Sequence, residues 1–204
     1  TTIKRNACRK ITKDCREYTR DNAMISSQTP QQWKVKGEKE YQKKAYLDAE
    51  LAFQQAADGF RAGGDKLTAA EMDNNRSVCF LQADKPEMAL QVLADTPDIF
   101  AKVGDQRRQA MALGNQAAAL AALKRFDEAE EKYQQSSTIL KDIGDTELRT
   151  DVMKSLSALQ LKRGQQLDAL LSMHIGLQQA EKPNLRQRFL KKLLEIPFNI
   201  MGRK

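Results

Sequence analysis

His174 is the only histidine in the chain, so no histidine pair, no dyad closed by a second histidine and no His-Glu-x-x-His zinc site can be built from it. It follows Met173 on a predicted helix, where a packing or surface role is expected. Cys8 and Cys15 share a predicted helix face, but two turns separate them by about 10 Å of rise, which makes them poor partners for one metal ion. The third cysteine is Cys79, and no Cys-x-x-Cys spacing occurs, so neither a disulfide framework nor a redox pair is expected. Gly63-Gly64 could suggest a phosphate cradle. It follows a predicted helix with no strand before it, and the Gly-x-x-x-x-Gly-Lys-Ser/Thr pattern is absent, so it reads as a linker. Asp127-Glu128 and Glu130-Glu131 offer paired carboxylates for acid and base work, yet at an exposed helix start their interaction with the helix dipole accounts for them. The expectation is a chain without catalysis, metal or cofactor.

Two amides that bind without reacting stand out instead: Asn75 and Asn115 are forty residues apart. The same interval runs through the chain. Gly-Asp recurs at Gly64-Asp65, Gly104-Asp105 and Gly144-Asp145, and Ala49, Ala89, Ala129 and Ala169 keep the same spacing. A bulky residue follows each alanine by four positions, at Phe53, Leu93, Tyr133 and Met173. A small one precedes it by twelve, at Gly37, Ser77, Ala117 and Ser157. Size is repeated more than identity.

Composition and punctuation make each unit a pair of helices. Glycine (10) and proline (5) are sparse, which favours an all-α fold. In the second unit Asp65 is placed to cap a helix from Lys66 to about Leu81. Ala83-Asp84-Lys85-Pro86 makes the turn, and a second helix is expected to run to Gly104. One such pair cannot bury its apolar face alone, so neighbouring pairs are expected to stack.

Pro30 to Gly63 resembles a tetratricopeptide (TPR) unit, with Trp33, Gly37, Ala49, Phe53 and Ala56 at the positions where that repeat carries Trp, Gly, Ala, Phe and Ala. Its tyrosine is displaced by one place to Tyr41, and Arg61 stands for the terminal proline. The following units are similar to the forty-residue, Gly-Asp-linked variant of kinesin light chains, Leu-Gly-Asn repeat adaptors and Rap-type regulators. The resemblance implies four repeats, at about 30–63, 64–103, 104–143 and 144–183. It also implies a right-handed superhelix whose concave groove, lined by the first helix of each pair, binds a peptide or helix. In such grooves an asparagine at the place of Asn75 and Asn115 holds peptide backbone with one donor and one acceptor. Hydrogen bonding between helices accounts for the two amides equally well. Glu38, Glu71, Met111, Asp151 and Lys162 are among the implied lining residues, with Glu71 and Asp151 as sites for a cation. Lys34 and Asn75 match a clamp for an acidic carboxyl-terminal tail, but Glu38, Met111 and Asn115 replace its other polar positions, so such a tail is not the expected ligand.

The net charge of +7 sits at the ends. Residues 1–23 hold seven Lys/Arg against three acids and residues 181–204 seven against two, which leaves −2 for the rest and argues against a broad nucleic-acid surface. Residues 1–29 read as a basic amphipathic helix over 3–20 with a linker, or as a leader preceding Met24. In 184–204, Leu185, Phe189, Leu193 and Ile196 form an apolar stripe opposite Arg186, Arg188, Lys191 and Lys192. A cap on the last repeat is the expected role, with membrane-surface contact as the alternative. No run of about 18 apolar residues occurs, and a cytoplasmic protein, peripheral to a membrane in the alternative, is expected.

Overall fold

The structure is a computed structural model and describes residues 28–178. The helix expected at 3–20 and the segment 184–204 lie outside the described residues. Between them run α1 (Pro30–Gln42), α2 (Tyr46–Ala62), α3 (Lys66–Gln82), α4 (Pro86–Val92), α5 (Thr96–Lys102), α6 (Gln106–Ala122), α7 (Phe126–Asp142), α8 (Thr146–Lys162) and α9 (Gln166–Gln178). The described residues contain no strand, and neighbouring helices pack against one another in chain order.

Asp65, Asp105 and Asp145 cap their helices, their carboxylates accepting the backbone N–H groups of Thr68, Arg108 and Leu148. Thr29 and Gln32 close a reciprocal capping box on α1, with Pro30 inside the first turn. The other ends follow one rule. Lys44, Gly64, Asp84, Gly104, Lys124, Gly144 and Gly164 all have positive φ, twenty residues apart. After each, the next N–H donates to the carbonyl five residues back, as Asp65 does to Phe60 and Arg125 to Leu120, both at 2.9 Å. This is the Schellman ending. The backbone period is therefore twenty, and the glycines mark only part of it. A lysine in the left-handed region is disfavoured by about 1 kcal/mol or more. Lys124→Gly is accordingly expected to stabilise the chain by about 1 kcal/mol and to raise its melting temperature by a few degrees in a calorimetric scan.

Paired helices are antiparallel, since Pro30 at the start of α1 lies against Gly59 near the end of α2. The repeated small positions are where the pair closes up. Gly37 lies under the Phe53 ring, Ala49, Ala89, Ala129 and Ala169 are at most 1% exposed, and the Ser157 hydroxyl donates to the Ala169 carbonyl at 2.8 Å. Packing joins elements adjacent in the chain. Each unit rests on the next, and α3, α6 and α8, the first helices of successive units, touch in turn. The apolar core is correspondingly a string of small clusters along the array.

One expected element is different. The second helix of the second unit does not run unbroken from Pro86 to Gly104 but divides into α4 and α5 around Leu93–Asp95. Pro97 is the cause, because it has no N–H for the Leu93 carbonyl four residues earlier and its ring crowds that position. The carbonyl is retained elsewhere: Gln116 of α6, 7% exposed, donates its Nε2 to it at 2.8 Å, and the Thr96 N–H reaches it at 3.2 Å. Gln116→Met removes the stronger partner and is expected to cost about 1–2 kcal/mol in urea denaturation. Adding Pro97→Ala, which restores a donor, should recover part of that loss.

Candidate functional site

The first helices α1, α3, α6 and α8 share one face of the array, and it contains two adjoining hollows. One, of about 300 Å³, is lined by Glu38, Tyr41 and Gln42 from α1, Phe53 from α2, and Asn75 and Val78 from α3. The second, of about 340 Å³, begins at the same Asn75 and Val78. It runs over Ala110, Met111, Gly114, Asn115 and Ala118 of α6 to Asp151, Val152 and Ser155 of α8, with Tyr133 and Leu140 of α7 also lining it. Asn75 and Val78 are thus a common wall. Small residues on α6 open the second hollow, and a Cβ added at Gly114 would come no nearer than 3.7 Å to any neighbour.

The two asparagines do not form a matched ladder. Asn115 Nδ2 donates to Asn74 Oδ1 at 3.0 Å, tying α6 to α3, so one of its N–H groups is used within the protein. Asn75 is half-buried, and its side chain makes no hydrogen bond among the described residues. Asn74, 7% exposed, escaped the sequence reading because its neighbour alone carries the forty-residue repeat.

Glu71 is not an open cation site. Lys34 Nζ binds its Oε1 at 2.8 Å and Arg108 Nη1 its Oε2 at 3.1 Å, so both oxygens are taken by cations of the same chain. Arg108 also meets Asp105 at 2.6 Å and lies 5.3 Å from the centre of the Phe100 ring. This string joins α1, α3 and α6 and occupies Lys34 as well. With side chains about a quarter to a third exposed, each pair contributes less than about 1 kcal/mol, and their value is in fixing how successive units sit. Burial raises the Asp105 pKa, but the hydrogen bonds and charge of Arg108 outweigh it and hold the carboxyl below its ordinary range.

Glu38 lines the first hollow and Met111 and Asp151 the second; Asp151 also bonds Lys154 at 2.7 Å. Lys162, at the exposed end of α8, lines neither hollow. Gly114 and Val152 are lining residues that sequence reasoning passed over. The signal for Gly114 was present, since a lone glycine inside a helix pattern marks close approach or space.

The residues first considered for chemistry are otherwise engaged. Cys79 is buried, and burial, with Glu50 nearby, pushes its thiol up to about 12, so it is no nucleophile at neutral pH. Glu130 does not stand exposed at a helix start as expected from sequence. It accepts Gln160 Nε2 at 2.8 Å and Arg163 Nη1 at 2.6 Å from the following repeat, and Arg163 reaches Asp127 as well. His174 is half-buried on α9. Among the described residues no three His, Cys, Asp or Glu side chains gather as a metal site, and no helix is long and apolar enough to cross a membrane.

No protein-family model matches the chain, and no curated protein matches it.

Proposed function

We propose that this chain is a non-catalytic interaction scaffold of the tetratricopeptide kind, cytoplasmic, a right-handed array that holds an extended peptide along the face of α1, α3, α6 and α8. The observation that carries this is the pair of adjoining hollows with Asn75 on their common wall. An extended peptide presents an amide every residue and side chains on alternating sides. The Asn75 amide can accept from and donate to one peptide unit while neighbouring apolar side chains enter the two hollows. The array supplies this surface by stacking, so the ligand is read by side chains from several units at once.

The test begins with peptides selected from a displayed random library on the purified chain. Their affinity is then measured by fluorescence anisotropy for the wild type, Asn75→Ala and Gly114→Leu, with circular dichroism to show that each is folded. Asn75→Ala is expected to weaken binding about tenfold, equivalent to about 1.4 kcal/mol of hydrogen bonding. Gly114→Leu, which fills the second hollow, should abolish it. Selected peptides that bind all three proteins equally would move the site off this face.

A further inference from the structure

A third hollow, of about 560 Å³, lies between α5 and α7 over α6 and shares no residue with the two hollows on the face of the first helices. Gln116 is in its wall. A polar side chain only 7% exposed is normally satisfied on both sides of its amide. The Gln116 Nε2 is used on the Leu93 carbonyl, but its Oε1 accepts no hydrogen bond among the described residues and is left as an acceptor in the lining. Two carboxylates stand with it. Asp98 of α5 makes no hydrogen bond or ion pair among the described residues, and Glu131 of α7 is bonded through Oε1 alone, by Gln135 at 2.9 Å. Lys132 is the one cation in the lining, so two negative charges face one positive.

The preceding junction of the array shows what such acceptors hold. Forty residues earlier, Asp58 stands in the register of Asp98, Asp73 in that of Leu113 and Arg76 in that of Gln116. The carboxylates there are held by two guanidinium groups. Arg61 bonds Asp58 at 2.9 Å and also Asp73, and Arg76 bonds Asp73 and Glu50, each at 2.9 Å. One unit later both arginines are gone: Ala101 replaces Arg61, and Gln116 replaces Arg76. Asp98 keeps its place without the cation that its counterpart binds.

We propose that the hollow between α5 and α7 binds an arginine side chain of a partner protein. A guanidinium has five N–H donors in a planar fork and no acceptor, so it suits a lining whose open groups are the Asp98 and Glu131 carboxylates and the Gln116 oxygen. Its methylene stem lies along Pro97, Leu113 and Ile139, which supply the apolar part of the wall. An anionic ligand would meet two carboxylates and an amide oxygen, and is disfavoured. The site stands apart from the peptide-binding face in both position and chemistry, and it does not depend on the function proposed for that face.

The probe is N-acetyl-arginine amide, titrated into the isotope-labelled full chain and followed by NMR through the Gln116 side-chain amide, whose resonance is assigned by its loss in Gln116→Met. A saturable shift with a Kd on the order of 1 mM is expected, as suits one side chain without its protein. N-acetyl-lysine amide, a point charge on a flexible stem, should bind at least about fivefold more weakly. Asp98→Asn, at an exposed position, should weaken the arginine probe about tenfold through loss of the charged acceptor. Ala101→Arg, also at an exposed position, rebuilds the Asp58–Arg61 pair on Asp98 and should abolish probe binding while the rest of the spectrum shows the fold retained. Asn75→Ala should leave the affinity unchanged. The proposal is overturned by a shift that does not saturate, by equal affinity for the two probes, or by binding indifferent to Asp98→Asn or to Ala101→Arg. Weakening by Asn75→Ala would move the probe to the face of the first helices and overturn it as well.

Discussion

Phe100→Ala is expected to lower the free energy of unfolding by about 3–5 kcal/mol, seen as a reduced urea midpoint with an unchanged slope. Phe100 is 1% exposed and packs with Ala70, Leu93 and Ala112, so it joins α5 to the first helices on both sides. Two of those neighbours are alanines, which cannot move side-chain atoms into the space a missing ring would leave. Arg108, which lies over the ring, also anchors the string to Glu71 and Asp105, so the loss should be felt between units as well as within one. A variant that unfolds like the wild type would show that the short helix α5 contributes little to the array.

Gly37→Leu should cost about 3 kcal/mol, at the upper end for an overpacked core. A Cβ there would come within 2.7 Å of Phe53 ring carbons, and that ring is itself 3% exposed in a cluster with Trp33 and Ala56. Gly114→Leu is the matched control. It also lies within a first helix, but its nearest neighbours are at 3.7 and 3.8 Å and it borders a hollow, so the gain in helix propensity should offset most of the crowding. Thermal melts of the two variants should therefore differ by many degrees. Equal melting temperatures would mean that α1 and α2 are not closed against each other through Gly37.

The helix pairs and their boundaries were legible because they are set by neighbours in sequence. Asp65, Asp105 and Asp145 cap the residues next to them, and the alternation of small and bulky positions around Ala49, Ala89, Ala129 and Ala169 records a contact made four times over. The twenty-residue backbone period was only partly visible, since Lys44, Asp84 and Lys124 adopt the left-handed conformation that glycine announces elsewhere. The break at Leu93–Asp95 had its signal in Pro97, but the spacing of the flanking units pointed to an unbroken helix.

The partners of polar groups could not be read along the chain, because each is decided by a residue some 23 to 41 positions away. By itself the sequence determined an all-helical chain of repeated pairs, since capping, turn formation and helix periodicity are local and recur with the repeat. Tertiary structure alone decided that Glu71 is closed by Lys34 and Arg108, that Asn115 bonds Asn74, and that Asn75 is left at the wall between two hollows. The physical reason is that a charge or an amide has the same local preferences whether or not it has a partner, and only the stacking of one unit on the next brings that partner within bonding distance.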